Sequence, residues 1–217
     1  MSALLAAGAV AVAFSGPGDF TTEIDNPYLP LKPGTRRVYR ETDEEGHELR
    51  VMVRVTRRTK RVASGIVGRV VRDTVTEDGE LVEDTFDWYA QDRKGNVWYL
   101  GERTTEYEDG KPVSTAGSFE DGVDGARRGI VMLARPRVGR EYAQERAPAV
   151  AEDRARVLSR DEQVEVPAGH FRRVLMTRDW NPLEPKVNEH KFYAKGVGLV
   201  LALGVSGGGD REELMPQ

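Results

Sequence analysis

Leu49-Arg50-Val51-Met52-Val53-Arg54-Val55-Thr56 is the stretch on which the fold turns. Leu49, Val51, Val53 and Val55 alternate with Arg50, Met52, Arg54 and Thr56. That period of two puts the aliphatic groups on one face of a β-strand and the arginines on the other. The same rhythm returns at residues 35–41, 66–76, 81–90, 97–100, 140–146, 155–158, 163–166, 172–180, 189–194 and 199–205. Asp78-Gly79, Asp109-Gly110 and Lys94-Gly95-Asn96 stand between strand-like runs, where such residues supply the positive φ of hairpin turns. Residues 149–158 are the best helix candidate, and their apolar spacing is poor. The expected class is all-β: an antiparallel meander, with few or no helices, closed into a barrel or sandwich to protect its edges.

The chain has 217 residues, 39% of them hydrophobic, enough to bury a core. At 31% charged residues it is no polytopic membrane protein. It has no cysteine, which excludes disulfides, thiolate metal sites, a cysteine nucleophile and a lipoprotein anchor on cysteine. Residues 4–14 (LLAAGAVAVAF) are uninterrupted apolar and small residues. A spanning helix needs about twenty such residues, so this run has instead the length of a signal-peptide core, with Ala11-Val12-Ala13 as a cleavage site. No basic residue precedes it. Residues 1–13 therefore read as a truncated export signal or as a packed N-terminal element. Residues 14–217 read as a single β-rich domain with no membrane-spanning segment, placed outside the cytoplasm: secreted, periplasmic or in the cell envelope. The proline-dense segment 25–34 reads as an extended strap across the fold.

Charge is unevenly laid down. Residues 32–72 carry 12 basic and 5 acidic side chains, whereas residues 73–124 carry 4 basic and 15 acidic. The basic run Arg57-Arg58-Thr59-Lys60-Arg61 offers an anionic polymer a surface. The plainer expectation is a basic strand pair beside an acidic one, with opposite charges facing across strands, and no nucleic acid as partner. The glycine-rich stretch 114–138 interrupts the strand rhythm and reads either as a functional loop or as a packed crossover.

Four segments together carry a family likeness: 20–35 (FTTEIDNPYLPLKPGT), 73–101 (DTVTEDGELVEDTFDWYAQDRKGNVWYLG), 180–185 (WNPLEP) and 189–200 (EHKFYAKGVGLV). The chain resembles an uncharacterised family of secreted bacterial all-β proteins that carry these motifs in this order. Lys195 stands where proline is common in the last of them. The resemblance implies export and a β-rich fold. It implies no activity and assigns no residue a role.

Chemistry-bearing motifs are sparse. His47, His170 and His190 are too far apart for a paired-histidine metal motif, and no calcium loop, phosphate loop or Gly-x-Ser-x-Gly elbow is present. His47 and His170 fall in turns and are expected to be exposed. No catalytic residue, metal or cofactor is assigned. The most informative position is Asp84, which shares a strand face with Val82, Phe86, Trp88 and Ala90. A carboxylate on an apolar face must find a partner or line a wet cavity. His190 similarly shares a face with Phe192 and Ala194. Asp84, Trp88, Trp180 and His190 are therefore the candidate ligand-binding set, expected to converge in the barrel interior. The expected role is a non-enzymatic exported binder of a small or lipidic ligand, or a scaffold. The alternatives are an enzyme using Asp84 and His190 as acid and base, or binding of an anionic polymer through Arg57 to Arg61. A structural pairing of Asp84 with arginine would remove it from either kind of site.

Overall fold

The computed structural model describes residues 16–43, 45–206 and 209–217. The signal reading of residues 1–13 and the centre of the 206–209 turn lie outside the described residues. The strands are β1 (Phe20–Thr21), β2 (Arg36–Thr42), β3 (Glu48–Arg61), β4 (Val67–Glu77), β5 (Glu80–Asp92), β6 (Val97–Arg103), β7 (Glu106–Glu108), β8 (Lys111–Ser114) and β9 (Phe119–Glu120). They continue with β10 (Arg127–Met132), β11 (Glu141–Ala143), β12 (Glu145–Arg146), β13 (Arg154–Val166), β14 (Gly169–Trp180), β15 (Asn188–Ala194), β16 (Gly198–Ser206) and β17 (Arg211–Leu214). All belong to one sheet.

That sheet is a nearly closed antiparallel barrel. Neighbours in sequence pair from β2 through β6, and β6 then pairs with β10. The bent segment of β11 and β12 divides its loyalty: Glu145 and Arg146 lie against β10, while residues 141–143 lie against β13. The meander resumes through β13, β14, β15 and β16. Finally β17 slots between β16 and β2, so the last strand joins the first long one. Closure leaves these long strands with no unpaired edge to protect. Turn chemistry does what the sequence demanded. Asp78 and Gly79 both take positive φ, as a tight hairpin matching the strand twist requires. At the β5–β6 turn the Asp92 carboxylate accepts hydrogen bonds from the Lys94 and Asn96 amides, the Asn96 side chain and Trp98 Nε1.

The strap is real and works as a plug. Ile24, Tyr28 and Leu31 are buried with Val55, Val71, Val97, Met132 and Leu175 in one apolar cluster. Asn26 donates to the Gly95 and Leu133 carbonyls, Gly196 N donates to the Pro27 carbonyl, and Arg37 donates to the Pro30 carbonyl. The strap thus ties together the turns gathered at one end of the barrel.

Three expectations are corrected. Residues 149–158 are not helical: Ala149 sits in a turn at φ 60°, and β13 begins at Arg154. Residues 155–158 and 163–166 are one strand, bent by register shifts between Val157 and Gln163 that broke the alternation. The stretch 114–138 is neither lid nor simple crossover. It contains β9 and the barrel strand β10, where Met132 is fully buried. A bulge between Ile130 and Met132 hides the period of two there, so four consecutive apolar residues did not look like a strand.

Candidate functional site

The pleat decides what faces the interior. On β5 the face carrying Glu83, Thr85, Asp87, Tyr89 and Gln91 points inward. The face carrying Asp84, Phe86, Trp88 and Ala90 points outward. Outward does not mean exposed here. Trp88, Ala90, Val70 and Leu100 form a separate apolar cluster with Val62 and Ile66, covered from outside by the 62–66 turn and by Phe20. An apolar strand face was therefore a sound reading of burial and a wrong reading of direction.

The candidate residues accordingly do not converge. Asp84 takes a bidentate pair from Arg72, at 2.6 and 3.0 Å, on the outer wall. Trp88 lies under Lys60 Nζ, 4.4 Å from its ring centre. Trp180 is flanked outside by the Arg154 and Arg178 guanidinium groups at 6.0 and 5.2 Å. His190 is paired across strands with Arg178 and Leu203, on the outward face of β15. β5 and β15 are separated around the ring by β4, β3, β2, β17 and β16. The Asp84–His190 acid-base pair is thus not formed. His47 and His170 are exposed, as their turn positions implied.

What the barrel does bring together is the opposite face of the same strands. Asp73 (β4), Glu83 and Asp87 (β5), Glu102 (β6), Glu145 (β12), Asp153, Asp179 (β14), Glu189 (β15), Glu41 (β2) and Glu212 (β17) lie within electrostatic reach of one another around the lumen. Tyr39, Tyr89, Tyr99, Tyr142 and Tyr193 stand among them, all buried deeply enough to hold their hydroxyl protons more tightly than usual. The cation at their centre is Lys191, whose Nζ sits 3.1 Å from Glu189 Oε2. Burial opposes its charge, but Glu189, Asp179 and Tyr193 outweigh that and raise its pKa.

The lumen is lined rather than filled. Lys191 and Glu189 keep 31% and 30% of their side-chain surface although they sit deep inside the strand ring. A barrel of about eight strands is just filled by its own side chains; this ring is larger. Lys191 and Glu189 thus sit within the ring without being fully packed over, while the strap and the inward valines close the barrel beside them.

Enclosure has electrostatic consequences. Desolvation first, and the charges of Glu83, Glu41 and Glu102 next, push Asp73 up to about 7. Glu212 rises to about 8 for the same reasons, with Asp73 its strongest repelling neighbour. Glu145 is pushed well up by enclosure and then by Asp153 beside it. Tyr99 Oη lies 2.6 Å from Asp87 Oδ1 and 2.7 Å from Glu102 Oε2. One hydroxyl has one proton to donate, so the other carboxyl must itself be protonated and donate to the tyrosine oxygen. Asp179 is better provided for, accepting from Thr177 Oγ1 at 2.5 Å and Gln144 Nε2 at 3.0 Å. Asp73 Oδ1, by contrast, has no hydrogen-bond partner. Among the described residues no group of three or more His, Asp or Glu is arranged to hold a metal ion.

Sequence reasoning missed Asp73, Asp87 and Glu102 because it took the more apolar face of β5 as the inner one. The available signal was the repeat of acids and tyrosines at the same period: Asp87-Tyr89 on one strand, Glu189-Lys191-Tyr193 on another.

Comparison with known proteins adds little. No protein-family profile and no curated protein matches the chain. Among solved structures it is similar to a "putative lipoprotein" from Parabacteroides distasonis, with 13% identity, a TM-score of 0.47, and coverage of 88% of this chain and 98% of the other.

Proposed function

We propose that the protein is an exported envelope protein that holds a small cationic molecule, an organic amine, in the acidic interior of its barrel, and that it belongs to the secreted bacterial family its motifs resemble. The observation that carries the binding reading is Asp73: an enclosed carboxylate with one oxygen that has no hydrogen-bond partner among the described residues, set among many more acids than bases. An unpaired buried acceptor costs about 1–3 kcal/mol, and an ammonium donor removes that cost. A lipidic ligand suits this interior poorly, since an alkyl chain gains nothing against carboxylates. Export is supported by the apolar segment 4–14 and by the family likeness. No described helix is long and apolar enough to cross a membrane. Nor does the outer wall resemble a lipid-facing barrel band, because it carries Arg36, Arg50 and Arg54 pointing outward.

Isothermal titration calorimetry with 1,4-diaminobutane tests the binding reading. The protein is expected to take up the diamine but not 1,4-butanediol of the same length, and Asp73→Asn is expected to weaken uptake by about tenfold or more. Asp84→Asn, on the outer wall, is expected to bind like the parent. Equal binding of diamine and diol, or an Asp73→Asn protein that binds as the parent does, contradicts it. A reporter fused to the full native gene is expected in the exported fraction; retention in the cytoplasm contradicts the export reading.

A further inference from the structure

The outer wall carries the reverse of the interior. The register aligns Arg36 of β2 directly opposite Arg54 of β3, and Arg54 directly opposite Arg72 of β4. The same row continues through Phe86 of β5 to Arg103 of β6. Four residues further along, Arg40 faces Arg50. The expected opposite charges across strands are therefore only part of the pattern: Arg72 meets Asp84 and Arg40 meets Glu48, but along this row arginine also faces arginine. Like charges directly opposite destabilise a sheet. Arg72 is compensated by Asp84, and Arg40 by Glu213. Arg36, Arg50, Arg54, Arg58 and Arg103 make no ion pair among the described residues, and all five are exposed. The sequence run at 57–61 is partly spent by comparison. Lys60 is held by Glu120 at 2.9 Å, and Arg61 donates to the Gly65 carbonyl.

The row leads into a groove of about 430 Å³ on the same wall, lined by Arg58, Lys60, Phe86, Trp88 and Arg103 and also by the carboxylates Glu102 and Glu120, the second of which is paired with Lys60. Its floor is aromatic. Phe86 lies between the guanidinium groups of Arg72 and Arg103, 5.4 and 5.0 Å from its ring centre. Strand spacing sets the Cα atoms of facing arginines about 5 Å apart. A linear chain bearing one carboxylate per unit can follow such a row, each carboxylate taken bidentately by a guanidinium. An aromatic ring with cations at its flanks receives the apolar face of a sugar while its acidic groups are held. The wall curves with the barrel, which suits a flexible chain and not a flat membrane. The large apolar side chains most exposed elsewhere, such as Val138 and Leu183, are not in the row.

We infer that the outer face of β2 to β6, through Arg36, Arg54, Arg58 and Arg103 around Phe86, is a docking surface for an acidic polysaccharide of uronate type. The arginines of this surface lie on the outer wall, and Glu102 is the residue the groove shares with the acidic ring of the lumen.

Affinity electrophoresis of the full protein in gels containing polygalacturonate tests it, with dextran, polyphosphate and phosphatidylglycerol vesicles as separate arms. The parent protein is expected to be retarded by polygalacturonate and not by dextran, and the retardation is expected to fade with salt. Arg36→Glu combined with Arg54→Glu is expected to weaken retardation by about tenfold or more, whereas Arg160→Glu, an exposed arginine on β13, leaves it unchanged. Circular dichroism and melting temperature confirm that both variants are folded; should the double Glu variant unfold, Arg36→Gln with Arg54→Gln takes its place with the same expectation. Overturning results are a parent that migrates freely, equal loss in Arg160→Glu, or polyphosphate or vesicles that hold the protein as strongly as polygalacturonate does.

Discussion

Tyr99 holds one hydroxyl proton between Asp87 and Glu102, and that triad shows how single residues set the character of this interior. Removing the hydroxyl leaves two enclosed carboxyl groups facing each other without the donor between them. Tyr99→Phe is expected to lower stability by about 1–3 kcal/mol. For a chain of this size that is a fall in Tm of roughly 2–4 °C per kcal/mol. Enclosure raises both carboxyls, so the loss should grow as pH rises, compared at pH 5 and pH 8. Thermal melts at both values check it; a neutral substitution, or a loss independent of pH, would show that the triad holds no proton. The sequence showed at this scale that β5 has two chemically distinct faces, and that Asp84 needed a partner. It could not show which face was inside. Both faces are buried, one by the barrel and one by the turn and N-terminal residues outside it, and hydropathy alone does not distinguish two coverings.

Elements were more legible. The strands from β2 to β6 and from β14 to β16 follow from alternation and from their turn residues, because each lies between solvated hairpins and repeats every second residue. The strap was legible too, from its prolines. The failures gather where pleating is interrupted: the bulged β10 and the bent β13. Closure itself was legible, but its strand partners, distant in sequence, were not. Gly129 marks the place where β10 meets the bent β11–β12 segment. It packs so closely against the Ala143 and Gln144 backbone that a methyl group there would overlap the Gln144 carbonyl. Gly129→Ala is expected to force β10 away from β12 and to cost about 3 kcal/mol or more, beyond the usual range for an overpacked site because the obstacle is backbone. Urea unfolding measures it directly. A variant with unchanged midpoint would mean that the β10–β12 contact contributes nothing to the barrel.

At the scale of the whole molecule, a net charge of −4 hides a sorting of charge by side: arginines outside, carboxylates within. This follows from period two. On β3 the valines point inward and Arg50 and Arg54 outward, whereas on β4 to β6 Asp73, Glu83, Asp87 and Glu102 point inward and Asp84 stays on the outer wall with Arg72. Linkage then fixes how stability varies with pH. The folded values of Asp73 and Glu212, about 7 and about 8, lie above the unfolded carboxylate range near 4, so the folded state binds protons more tightly. Their contribution is full below about pH 4 and is lost as pH rises through 7 and 8. Asp92 and Glu213 have the opposite sign. Hydrogen bonds hold Asp92 low despite its burial, and Arg211 and Arg40 hold Glu213 low, so their contribution is lost as pH falls below about 4. Tm is therefore expected to peak at about pH 4–5 and to decline steadily toward pH 9, and Asp73→Asn should flatten that decline. A Tm that climbs from pH 5 to pH 9 would contradict the sorting of acids to the interior.

The central claim, that an enclosed ring of carboxylates lines the lumen, is tested most directly at Asp73. Carboxyl carbon resonances of protein labelled with ¹³C at aspartate and glutamate can be followed through a pH titration, with Asp73→Asn assigning the signal. The account predicts that Asp73 titrates near pH 7. A midpoint close to 4, the value of an aspartate in open water, would contradict it.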